Sequence, residues 1–139
     1  MSSYVIDASV AAKWLFLENG TEESVQLLDQ FEYFYAPDLF QIELDSIITK
    51  KVRKKELSFE EAPIKKNQAS KLPARFITYE QISDIAFDIS TTLSITLYDA
   101  SYVATAILTK SIFYTADERL VRGLSTTPLA RFVRSVYGG

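Results

Sequence analysis

The chain has 139 residues, 47% of them hydrophobic, a net charge of −3, and neither cysteine nor histidine. That length fits one domain over residues 1–139 with a sizeable core, while the missing residue types exclude disulfides, thiolate zinc sites, cysteine nucleophiles and a Ser-His-Asp triad. No run approaches the roughly 18 to 20 apolar residues that span a bilayer, and the start lacks the basic and apolar stretches of a signal peptide, so a cytoplasmic protein with no membrane partner is expected.

In chain order, Ser3, Tyr4, Val5 and Ile6 form a short β-leaning run of the kind buried in parallel sheets, with Asp7 at its carboxyl end. The segment from Ser9 to Leu17 reads as a helix stopped by Gly20, and Thr21 as the N-cap of a second helix from Glu22 to Phe31. Tyr33 to Ala36 is a second strand closed by Pro37. From Leu39, the apolar residues Phe40, Leu44, Ile47, Ile48 and Val52 recur at helical spacing, which puts Glu43 one position from the buried stripe. Ser58-Phe59-Glu60-Glu61 resembles a capping box, with Pro63 as the alternative first turn.

Phe76 and Ile77 suggest a third strand, and Ile82, Ile85, Ala86, Ile89 and Leu93 an amphipathic helix with Asp84 and Asp88 on its outer side. Asp99 opens a further helix with Ala100, Val103, Ala104, Ile107 and Leu108 inward. Ile112 to Thr115 is a strand ending just before Asp117, Glu118 to Leu124 a helix, and Leu129 to Val136 a last strand. This alternation predicts an α/β fold with a parallel sheet, whose ligands sit beyond the carboxyl ends of the strands, where Asp7 and Asp117 stand.

Charge is unevenly distributed. Residues 1–49 hold one lysine against nine acids, a balance of −8, whereas residues 50–75 hold nine basic residues against three acids, a balance of +6. The basic segment reads either as a phosphate contact or as the solvated face of two helices.

Four acids, Asp7, Glu43, Asp99 and Asp117, stand beside apolar sequence, where an unpaired charge is costly. Taken singly, each aspartate also reads as a helix cap and Glu43 as a surface residue. Together they repel: at an effective dielectric of about 20, a pair 4 Å apart costs about 4 kcal/mol. Without histidine or cysteine the fitting counter-ions are hard cations such as Mg²⁺ or Mn²⁺, which suit phosphodiester displacement by water.

The same residues carry a resemblance. Val5-Ile6-Asp7-Ala8-Ser9-Val10, the stretch from Pro37 to Glu43, Leu97-Tyr98-Asp99-Ala100 and Thr115-Ala116-Asp117-Glu118-Arg119-Leu120 resemble, in order and spacing, the signature blocks of PIN-domain ribonucleases, especially the VapC toxins of VapBC toxin–antitoxin systems. The resemblance implies a three-layer α/β/α sandwich with a central parallel sheet of four to five short strands. It implies Asp7, Glu43, Asp99 and Asp117 as catalytic ligands of Mg²⁺ or Mn²⁺, with Ser9 and Thr115 orienting them. The implied activity is hydrolysis of structured RNA, tRNA or rRNA, leaving a 5′-phosphate and a 3′-hydroxyl, under control of a VapB-type antitoxin. Homodimers are common in the group, and Phe31, Tyr33, Phe34 and Phe40 are aromatics for either a partner surface or the core. Lys50, Lys51, Arg53, Lys54 and Arg119 become candidate RNA contacts, and Arg122 could also touch phosphate, although pairing of Arg119 and Arg122 with Glu118 is as plausible.

One departure is Leu44-Asp45-Ser46 after Glu43, where VapC-like chains commonly carry a small or apolar residue and then Asn; Ser46 can serve as the polar contact, and Asp45 points away from Glu43. A catalytically silent PIN-like domain that binds RNA or protein is the main competitor. A haloacid-dehalogenase-like phosphatase is disfavoured because Ser9, not Asp, follows Asp7 by two positions, and a receiver domain because Ile6 precedes Asp7.

Overall fold

The computed structural model describes residues 3–138. Five strands, β1 (Tyr4–Ile6), β2 (Phe34–Pro37), β3 (Ala74–Ile77), β4 (Ile112–Thr115) and β5 (Val133–Ser135), form one parallel sheet in the order β3-β2-β1-β4-β5. Val5 in the central strand pairs with Tyr35 on one side and Phe113 on the other. Among the described residues seven α-helices flank the sheet: α1 (Ala8–Leu15), α2 (Thr21–Leu28), α3 (Leu39–Arg53), α4 (Ala62–Ser70), α5 (Tyr79–Leu93), α6 (Leu97–Thr109) and α7 (Glu118–Leu124). None of these is long and apolar enough to cross a membrane.

The chain runs outward from β1 to β2 and β3, then returns past β1 to β4 and β5. Because parallel crossovers are right-handed, this reversal sends α1 to α4 to one face and α5 to α7 to the other, giving the three-layer α/β/α sandwich. It also makes the β1/β4 boundary the switch point, the crevice where open α/β sheets bind ligands.

Burial explains which sequences became which elements. Val5, Ile6, Phe34 and Ala36 are fully buried and Phe113 nearly so, as expected of strands covered on both faces. The helix that crosses behind them, α6, is buried continuously from Ala100 to Ala106. Its alanines let it approach the sheet closely, and its buried hydroxyls are satisfied locally: Ser101 Oγ donates to Leu97 O at 2.8 Å and Thr105 Oγ1 to Ser101 O at 2.8 Å.

Several boundaries differ from the sequence-based expectation. The α6 helix is capped by Thr96, whose Oγ1 accepts the Asp99 N–H at 3.0 Å, so Asp99 lies in the first turn, and Leu108 is 42% exposed rather than inward. The last strand shrinks to β5 because Pro128, which lacks an N–H, opens a 3₁₀ turn over Pro128–Phe132. Gly20, in the left-handed region at φ +92°, precedes α2, and the Thr21 hydroxyl instead accepts from Glu18 N at 2.9 Å and donates to Phe16 O at 3.1 Å. The α1 and α2 helices end earlier than expected, at Leu15 and Leu28. Ser58 and Glu61 do make reciprocal capping-box bonds, in the turn ahead of α4, whose own first turn holds Pro63. Phe34 and Phe40 belong to the core, while Phe31 and Tyr33 are half-buried.

Phe34→Ala should cost about 3–5 kcal/mol, since it empties a buried ring site, whereas Phe59→Ala, at a side chain 82% exposed, should cost under about 0.5 kcal/mol. Urea unfolding midpoints of the two variants check this.

Candidate active site

Asp7 terminates β1 and caps α1. Its Oδ1 accepts from Ser9 Oγ at 2.6 Å and Val10 N at 3.1 Å, and its Oδ2 accepts from Thr115 Oγ1 at 2.6 Å. The same two hydroxyls bind the neighbouring strand end: Thr115 Oγ1 accepts from Asp117 N at 3.0 Å and Ser9 Oγ from Ala116 N at 3.4 Å. Asp117 in turn caps α7, its Oδ1 accepting from Arg119 N at 3.1 Å and Leu120 N at 3.2 Å. The capping and functional readings of these aspartates are therefore compatible, because a cap engages only part of each carboxylate.

Glu43 rises from α3, whose neighbouring Leu44 and Ile48 are buried in the core. Its Oε1 accepts a 2.6 Å hydrogen bond from the Tyr102 hydroxyl. Tyr102 is itself buried and stacks on Phe113, with ring centroids 5.3 Å apart and planes 12° from parallel. Asp99, three residues before Tyr102, shares its face of α6. Asp7, Glu43, Asp99 and Asp117 all line one cavity of about 590 Å³, with Ser46 and Lys50 on its α3 wall.

The electrostatics follow from this crowding. Burial holds the Asp7 carboxyl above its ordinary range; the bonds from Ser9, Thr115 and Val10 oppose this, and the Asp99 charge adds to it. Burial also raises Glu43, against the pull of the Tyr102 hydroxyl, with Asp7 and Asp99 pushing the same way. Asp99 is raised by burial, relieved by Thr96, and pushed further by Asp117. The Tyr102 phenol is driven far up by burial and by the Glu43 and Asp7 charges, so it stays protonated and always has a proton to donate. Carboxyls raised in the folded state stabilise it fully at acid pH, below the unfolded-state values, and lose that contribution as pH rises through the folded values. The acids thus work against the fold near neutrality unless a cation joins them.

The donor set fits such a cation in its chemistry, being carboxylate oxygen throughout. Its spacing is open: among the described residues no three acids are gathered closely enough to hold an ion as they stand.

A PIN-domain family model matches residues 4–123. The chain belongs to the PIN-domain family. Solved structures share the fold of this PIN domain at low identity. A toxin–antitoxin complex from Klebsiella pneumoniae is 16% identical with TM-score 0.68, covering 99% of this chain and 100% of that one. FitAB bound to a DNA fragment is 14% identical with TM-score 0.72, covering 98% and 96%. VapBC2 from Rickettsia felis, bound to a DNA fragment from its promoter, is 13% identical with TM-score 0.67, covering 95% and 97%. Among curated protein sequences none matches.

Two features of this PIN domain escaped the sequence reading. Tyr102 was hidden within an apolar helix, although its spacing from Asp99 was a signal. Thr96, rather than Asp99, supplies the cap that leaves the Asp99 carboxylate unspent. The basic segment does not act as one surface: Lys50 lines the acidic cavity, but Lys51 lies 3.7 Å from both Glu18 and Glu56 and over the Phe16 ring. Lys65 donates to Leu15 O, Lys66 pairs with Asp45 and so turns it from the site, and Arg75 covers Tyr33. Arg53 and Lys54 are exposed at the end of α3, outside the cavity.

Tyr102→Phe keeps the stacked ring and removes the donor that lowers the Glu43 carboxyl. The Glu43 titration should therefore move to higher pH in metal-free protein, read from its carboxyl-carbon NMR shift; an unmoved titration would deny the bond a role.

Proposed function

We propose that this PIN domain is a divalent-metal-dependent endoribonuclease and the toxin of a toxin–antitoxin pair. The observation that carries the reading is the convergence of four acids, from β1, α3, α6 and the end of β4, on one cavity at the switch point of the sheet. Asp7, Glu43, Asp99 and Asp117 would hold one or two Mg²⁺ or Mn²⁺ ions. Bound there, such ions would supply an activated water and stabilise the leaving oxygen of a phosphodiester. Ser9 and Thr115 keep both Asp7 oxygens oriented, and Tyr102 fixes one oxygen of Glu43. Lys50 offsets the acid charge on the wall a phosphate would approach.

Toxin–antitoxin complexes among the structural neighbours support a VapB-type antitoxin as partner, and structured RNA, tRNA or rRNA, as substrate follows from the VapC-like blocks. A homodimer and a cytoplasmic location belong to the same reading. The open spacing of the acids is the one observation that favours a silent RNA- or protein-binding domain instead.

Incubation with total RNA and Mg²⁺ or Mn²⁺ separates the two. Cleavage should leave 5′-phosphate ends, stop with chelator, and fall at least about 100-fold in Asp99→Asn, as expected when a metal ligand is lost. Undiminished cleavage by Asp99→Asn would overturn the proposed site, and no cleavage by the parent would favour the silent domain.

A further inference from the structure

A second cavity, of about 630 Å³, opens beside the first and shares Asp117 with it; Asn19, Glu118, Arg119, Arg122 and Tyr137 also line it. Arg119 and Arg122 are three residues apart on α7, so they share a face, and both are exposed. By helical spacing Glu118 is the natural partner of Arg122, four positions on. It is engaged elsewhere, its Oε1 accepting from Ser135 Oγ at 3.1 Å, and among the described residues no ion pair joins either arginine to an acid. Two guanidinium groups that form no ion pair thus line, with Asp117 and Glu118, a concave surface whose near edge is a candidate catalytic acid.

The opposite wall is built rather than incidental. The buried Lys13 donates from Nζ to Asn19 O at 2.6 Å, fixing the loop after α1. At Gly20 a Cβ would meet Tyr137 Cε1 at 2.7 Å, so only glycine lets this loop close against the C-terminal segment. On the far side of the acids, the α3 wall offers Lys50. Positive groups therefore bracket the acids from two directions, the arrangement a polyanion needs to cross a patch that would otherwise repel it.

We propose that the Arg119–Arg122 cavity is a subsite for the phosphates of the RNA strand flanking the one at the acids, with both guanidinium groups as its anion-binding elements. This rests on the ribonuclease reading and adds a strand path to it: from Lys50 across the acids and past Asp117 onto α7. Arginine forks suit the task because they bind phosphate oxygens in pairs and keep their charge at any working pH.

Binding of a labelled mixed-sequence single-stranded RNA, followed by fluorescence anisotropy at several salt concentrations, tests it. Asp99→Asn is the background throughout, so that the probe survives in Mg²⁺. R119A/R122A should weaken binding and flatten the slope of log affinity against log salt by about 1.4, at about 0.7 per lost phosphate contact on a single strand. R119K/R122K should keep most of the slope, and R131A, a charge removed elsewhere, should keep all of it. An unchanged affinity and slope in R119A/R122A, with the wild-type chain still cutting RNA, would overturn the subsite alone. A chain that neither binds nor cuts RNA would overturn the ribonuclease reading and the subsite with it.

Discussion

Three donors hold Asp7: Ser9 Oγ and Val10 N on one oxygen, Thr115 Oγ1 on the other. The first two belong to the first turn of α1, directly after β1, and the third to the end of β4, so the carboxylate joins the two strands between which the sheet reverses direction. Hydrogen bonds to a charged group are shorter and roughly twice as strong as neutral ones, and these do not fully offset the burial that raises the Asp7 carboxyl. The fold thus keeps a costly anion in a fixed place. Asp117 inherits its position from the same hydroxyls, through Thr115, and α6 and α3 bring Asp99 and Glu43 to the same cavity from opposite faces of the sheet.

The second constraint is like-charge repulsion. Asp7, Glu43 and Asp99 are each raised and each feels another acid of the set. Stability and function pull in opposite directions here, as is usual where a site is organised around charges a folded chain would otherwise avoid. Tyr102 moderates the conflict at Glu43 by donating from a buried, stacked ring that cannot turn away.

Much of this was legible because the parallel sheet writes its ligand-facing positions at strand ends. Asp7 and Asp117 follow short β-branched or aromatic runs, and Glu43 sits beside a helical apolar stripe. Tyr102 was not legible in the same way: its partner lies 59 residues away on a helix across the sheet, and only tertiary packing brings them together. The Asp99 position was seen but its role at the helix start was not, because Thr96 and Asp99 are both good caps and local sequence cannot choose between them. The basic segment misled in the opposite direction. A run of lysines reads as a surface, yet Lys51, Lys65 and Lys66 are spent tying α1, α3 and α4 together, leaving Lys50 as its contribution to the cavity.

Whether Glu43 works with the three aspartates is the point on which a shared metal site stands. Calorimetric titration of Mn²⁺ into the metal-free chain, compared with Glu43→Gln and Asp99→Asn, tests it most directly. If the four acids share the ions, both variants should weaken Mn²⁺ binding by comparable factors, at least about 10-fold each. Binding lost in Asp99→Asn but unchanged in Glu43→Gln would contradict a four-acid site.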